Sequence, residues 1–130
     1  VATCAHITEF HLDHIERDGV QILCLTGYLG NAEFAQVDAV LSPLLAQRHG
    51  RVIMDLTTLT FTTTVSLARF LVCGRTFRRR GGALKFVGLS PHLSQIATMA
   101  GFDAERDFEP DVAAALRSMS RSRDLAARRR

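Results

Sequence analysis

Thr62, Thr63, Thr64 and Ser66 place four hydroxyls within five positions, directly before an amphipathic pattern that runs on through Leu67, Phe70 and Leu71. Three chemistries suit such a run. A Ser or Thr at a helix start accepts a hydrogen bond from a backbone N–H of the first turn, which contributes about 1 kcal/mol. That explains one hydroxyl and leaves the others. A phosphate on one of them would meet unpartnered backbone donors and the positive end of the helix dipole, so the fold would tolerate the added dianion. A nucleophilic hydroxyl would need a base within hydrogen-bond reach and a group that orients the base. No G-x-S-x-G elbow is present, and none of the five histidines stands in a catalytic motif. Capping and phosphate acceptance remain open, and enzymatic activity is not expected.

Other reactive residues are weakly patterned. His6, His11 and His14, spaced by five and three, cannot all share one strand face, so no metal site is expected. His49 precedes a glycine at a helix end, and His92 falls in the first turn of a helix. Cys4, Cys24 and Cys73 form an odd set without C-x-x-C spacing, which suits a reducing compartment. "GYLG" and "RGGAL" contain neither the dinucleotide fingerprint nor a phosphate loop, and no cofactor is implied.

The elements that position the hydroxyl run follow from periodicity. Residues 7–27 read as two strands, with Ile7, Phe10, Leu12 and Ile15 apolar in the first and "RDG" as the turn; "VQILCL" has the continuous apolar character of a strand covered on both faces. Phe34, Val37, Val40, Leu41, Leu44 and Leu45 recur at helical steps, with Pro43 expected to bend or restart the helix. "RVIMDL" is a buried strand, and "TTLTF" is expected to carry the chain out of it. A helix from about Thr64 turns Leu67, Phe70, Leu71, Gly74 and Phe77 to one face and Arg69, Arg75 and Arg79 elsewhere. "ALKFVGL" is a strand. Ser90, Pro91 and Gly101 punctuate the next helix as N-cap, first residue and stop. "RDFEP" leaves room for a short edge strand, and "PDVAAALRSM" opens a last helix. Strands alternating with helices predict an α/β fold: one layer of mostly parallel sheet of four or five strands, with an antiparallel first hairpin and about four helices.

The 130 residues suffice for one domain, expected over residues 1–116, followed by a basic extension over 117–130. The extension holds six arginines against one aspartate. Ten basic and twelve acidic residues remain before it, a net −2, so the body is slightly acidic and the positive balance sits in the tail. Nucleic-acid binding is therefore expected, if anywhere, only through that tail. No apolar run approaches the roughly 18–20 residues of a membrane span, and the start lacks the pattern of a secretory signal, so a cytoplasmic location is expected.

Three pieces, in order and at the right distances, resemble the STAS domain family of bacterial anti-sigma factor antagonists. "LTGYLGNAEF" stands where the family has a "GELD"-like turn into its first helix. "VIMDLTTLTFTTTVSLARFL" stands where it reads roughly "lvlDLsgvtfiDSSGlgaLl". "RRRGGALKFVGLSPHLSQIATMAGF" matches its Gly-Gly, strand, "lsp" and helix. The resemblance covers about Ile7 to Leu116. It implies a binding protein that works by partner exchange, in which an anti-sigma factor that is also a Ser/Thr kinase phosphorylates the first serine of "DSSG" and thereby ends the association. The matching position is Thr64. Carried over in this way, the partner-binding residues are Leu29, Gly30, Asn31, Thr62, Thr63, Thr64, Val65, Ser66 and Arg69. The sequence departs from the pattern at Thr63, Val65 and Ser66 (aspartate, serine and glycine in the family) and at Tyr28 and Gly30 (glutamate and aspartate). A second reading keeps the fold and removes the phosphate: a scaffold or ligand-sensing domain of a signalling complex. A homodimer is compatible with either.

Overall fold

A computed structural model describes residues 9–128, and their side chains through residue 120. Strand β1 (His11–Arg17) and strand β2 (Val20–Leu29) form a hairpin. Asp18 and Gly19 join them with φ of 54° and 79°, the two left-handed residues of a tight primed turn. Helix α1 (Phe34–Leu45) runs through Pro43 without restarting and ends two residues later. Strand β3 (Arg51–Thr62) leads into helix α2 (Thr64–Arg79), then strand β4 (Ala83–Val87) and helix α3 (Pro91–Ala100), capped by Ser90 and stopped by left-handed Gly101. A one-turn helix α4 (Ala104–Asp107), strand β5 (Phe108–Glu109) and helix α5 (Val112–Arg128) complete the described chain.

The five strands lie in sequence order, β1 antiparallel to β2 and the rest parallel, as expected. Because side chains alternate across a strand, successive residues feed two cores. Leu23, Leu25, Val52, Met54, Leu84 and Phe86 face α1, α2 and α3. Val20, Ile22, Ile53 and Val87 face Ala115 and Met119 of α5. The first core contains a chain of ring contacts running Phe34, Phe70, Phe86, Phe102 and Phe108, with centroids 5.1–5.9 Å apart.

Two expectations need correction. "TTLTF" does not leave the sheet: β3 continues to Thr62, because bulges let it follow the whole of β2. The β-branched threonines of that stretch suit a pleated surface as well as a turn. The connection before β5 contains α4, which the sequence pattern does not signal. Asp103 caps it by accepting from Glu105 and Arg106, and the buried Asp107 carboxylate accepts from Arg106 Nε (3.1 Å), the Asp103 N–H (2.8 Å) and Arg78 Nη1 (3.4 Å). The last helix continues across position 116 to Arg128 without a break. Cys4, His6 and Ile7 lie outside the described residues.

Phe70 is fully buried at the centre of the ring chain. Phe70→Ala should cost about 3–5 kcal/mol by lost burial and an unfilled cavity. Urea unfolding followed by circular dichroism measures this, and a loss below about 1 kcal/mol would show that the core there collapses freely.

Candidate docking surface at the start of α2

Strand β4 pairs β3 only over Arg51–Asp55, and β1 pairs β2 only as far as Thr26, so from Leu59 to Thr62 β3 has β2 as its one paired neighbour. Its last pair is Leu29 with Thr62. Chain positions that follow this pair emerge side by side: Gly30 and Asn31 from β2, Thr63 and Thr64 from β3. Their contact is direct, with Thr63 Oγ1 3.3 Å from Asn31 Oδ1.

Local chemistry sorts the hydroxyls into different roles. Thr63 is the N-cap of α2, in extended conformation (φ −89°, ψ 157°), and its Oγ1 accepts from the Ser66 N–H at 3.1 Å. The Thr63 proton is directed at Ser66 Oγ (3.0 Å) or at Asn31. Ser66 is fully buried, one turn into the helix. Thr62 is 6% exposed, and its Oγ1 is buried without a hydrogen-bond partner among the described residues. Thr64, the first residue of α2, is exposed. The cap satisfies the Ser66 N–H, and the Leu67 N–H donates to Thr63 O, so the Thr64 and Val65 N–H groups lack helical partners.

Of the predicted partner-binding residues, the structure therefore leaves Asn31, Thr64, Val65 and Arg69 exposed and Thr63 half-buried. Leu29, Gly30, Thr62 and Ser66 are covered by the domain's own atoms, because the strand ends and the first inward turn of α2 must close the core. The sequence also missed Glu33, whose Oε1 accepts from the Gly30 N–H at 3.2 Å. A Cβ on Gly30 would lie 2.5 Å from the Tyr28 ring and 2.8 Å from that carboxylate, so a larger residue there would have to displace these two side chains.

Helix α2 carries a second apolar stripe, facing outward. Val65 and Val72 are 48% and 55% exposed, seven residues apart, with Ala68 and Arg69 between them. With Phe34, Asp38 and Cys73 they line a groove of about 490 Å³ between α1 and α2. Arg69 holds its guanidinium 5.0 Å from the centroid of the Phe34 ring, a cation–π contact contributing about 0.5–1 kcal/mol at such a site. The Cys73 thiol at the groove floor has a raised pKa, from burial first and then from the Asp38 charge. Cys24 is raised likewise by burial, by the charges of Asp55 and Asp13, and by its hydrogen bond to Asp55. Both shifts lower the thiolate fraction below that of a free cysteine. Among the described residues, no group of three or more His, Cys, Asp or Glu is placed to hold a metal, and no helix is long and apolar enough to cross a membrane.

Residues 14–122 match the family model described as "Mlab, STAS domain". The chain belongs to the STAS domain family. It is 29% identical over 85 residues to BtrV of Bordetella bronchiseptica, a protein named as an anti-sigma factor antagonist, across 65% of this chain and 73% of that one. Among solved structures, an anti-sigma factor antagonist from Mycobacterium paratuberculosis superposes with a TM-score of 0.74 at 16% identity, over 87% of this chain and 96% of the other. The antagonist SpoIIAA in its unphosphorylated form gives 0.65 at 17% identity, over 88% and 98%. At these identities the solved structures establish the fold alone.

The three environments predict three signs for one chemical change. Thr63→Val should cost about 1 kcal/mol by removing the cap. Thr62→Val should be neutral or stabilising, because an unpaired buried hydroxyl is replaced by a methyl. Thr64→Val should stay within about 0.5 kcal/mol of the parent. Equilibrium unfolding of the three variants measures this, and equal losses at all three positions would refute the assignment.

Proposed function

We propose that the chain is an anti-sigma factor antagonist-like regulator that docks an anti-sigma factor or related signalling kinase on the exposed start of α2. The observation that carries this reading is the pairing of a free, exposed Thr64 hydroxyl with the outward stripe of Val65, Ala68 and Val72. A partner laid along this stripe buries the two valines and the groove, and it covers Thr64. Asn31 and Arg69 supply polar contacts at the rim. Phosphate on Thr64 would be accommodated by the Thr64 and Val65 N–H groups and the dipole of α2. In the complex the same charge of nearly −2 stands in a desolvating interface, where it costs several kcal/mol unless the partner offers cations. The relative SpoIIAA has been solved in both unphosphorylated and phosphorylated forms, which supports a switch of this kind.

The test is reconstitution with purified anti-sigma factor kinases and ATP, with phosphate mapped by mass spectrometry and complex formation by calorimetry. Phosphate should appear on Thr64. Thr64→Glu and Val65→Asp should each weaken the complex by about tenfold or more, equivalent to at least ~1.4 kcal/mol. Phosphate confined to positions outside 62–66, with no complex formed, overturns the proposal. A complex that forms normally with Thr64→Ala and carries no phosphate favours the unphosphorylated scaffold.

A further inference from the structure

At the other pole of α2 lies a cleft of about 770 Å³ lined by Arg48, His49, Thr76, Arg79, Arg80 and Gly81. Sixteen helical residues at 1.5 Å each put it about 24 Å from the start of α2, so it is independent of the docking surface. Three guanidiniums line it and no carboxylate does. The ion pairs among the described residues involve Arg78, Arg106, Lys85 and His11, and none engages Arg48, Arg79 or Arg80.

Helix ends do not account for this charge. Two carboxyl-terminal ends approach the cleft, those of α1 and α2, each equivalent to roughly −0.5 charge. Against these stand three full positive charges, and one contact, Arg80 Nη1 to Ala46 O at 3.5 Å, serves a helix-end carbonyl. The backbone of the wall is also fixed in advance, while Arg48, Arg79 and Arg80 extend from it as exposed side chains. The His49 N–H donates to Arg80 O at 2.9 Å, and its Nδ1 lies 3.3 Å from Gly81 O. The Arg80 N–H donates to Thr76 O and Phe77 O, both at 3.2 Å. His49 has φ of 61°, an uncommon conformation for a residue with a side chain, and it is held there by the 80–82 turn. The Thr76 hydroxyl donates to Val72 O at 3.1 Å, so the side chains left to donate into the cleft are the arginines and His49.

From this arrangement we infer that the cleft binds a compact polyanion bearing two or more phosphate groups. The volume falls within the roughly 300–1,000 Å³ of small-ligand sites, smaller than a macromolecular footprint requires. Planar guanidiniums bind phosphate oxygens in a bidentate fork, and three of them match a ligand with several closely spaced charges. Sequence reading sees Arg48 and the Arg78–Arg80 run as separate surface features, and only the fold joins them.

Calorimetric titration of the full chain with inorganic pyrophosphate, at constant ionic strength, tests the inference. Saturable one-to-one binding is expected. Arg48→Gln and Arg79→Gln should each weaken it by about tenfold, and the double substitution Arg79→Gln/Arg80→Gln by more. An Arg117→Gln control on α5 should leave it unchanged, and an unaltered urea midpoint in each variant separates lost binding from lost folding. Citrate should bind about tenfold more weakly than pyrophosphate. No saturable binding overturns the inference. So does a loss that follows Arg117 instead of the cleft, or equal or tighter binding of citrate or of an oligoglutamate peptide.

Discussion

The parallel register between β2 and β3 sets the geometry of everything at the candidate surface. It begins at Gln21 with Val52, passes irregularities after Cys24 and Gly27, and ends at Leu29 with Thr62. Those irregularities allow β3 to run twelve residues beside a ten-residue neighbour, so both strands finish together. A different slip would separate the Asn31 turn from the Thr63 cap. Burial enforces the register. Shifting either strand by one residue would turn Leu23, Leu25, Val52 and Met54 out of the core of α1 and α2.

Given that ribbon, the start of α2 is determined by hydrogen-bond satisfaction. A helix beginning at a sheet's end has N–H groups to satisfy, and Thr63 meets this with a side chain that also touches Ser66 and Asn31. Neighbouring threonines then diverge by geometry alone. Thr62 is still in the strand and turns inward; Thr64 is in the helix and turns outward. At the cap position a threonine serves, and the next hydroxyl along, Thr64, is left exposed. The acidic contribution in this region comes instead from Glu33, turned back onto the Gly30 N–H.

Helix α2 links two chemically opposite ends. Its amino end offers a hydroxyl, Val65 and a positive dipole, with Val72 two turns further on; its carboxyl end offers Arg79 and Arg80 beside Arg48. The inward stripe of Leu67, Phe70, Leu71 and Phe77 holds both ends in fixed relation to the sheet. An amphipathic helix thus spaces the proposed docking surface from the proposed anion cleft.

Much of this was legible in the residues themselves. The "RDG" turn, the Ser90–Pro91 start, the Gly101 stop and the inward stripe of α2 are local signals, set by backbone preferences and periodicity that act within a few residues. The three ordered motifs identified the family because their spacing reflects the fold's element lengths. Local signals could not say which of Leu29, Thr62, Thr63, Thr64 and Ser66 reach solvent, since burial depends on the strand register and on what α1 and α2 cover. They could not extend β3 through "TTLTF", because threonine suits a turn as well as an edge, and the partner strand decides. Nor could they join Arg48 to Arg79 across thirty positions, or set Arg69 over Phe34. Sequence determined the elements, their order and their inward faces; the packing of those elements alone decided which hydroxyl is free and where the arginines meet, because exposure and proximity are properties of contacts between distant residues.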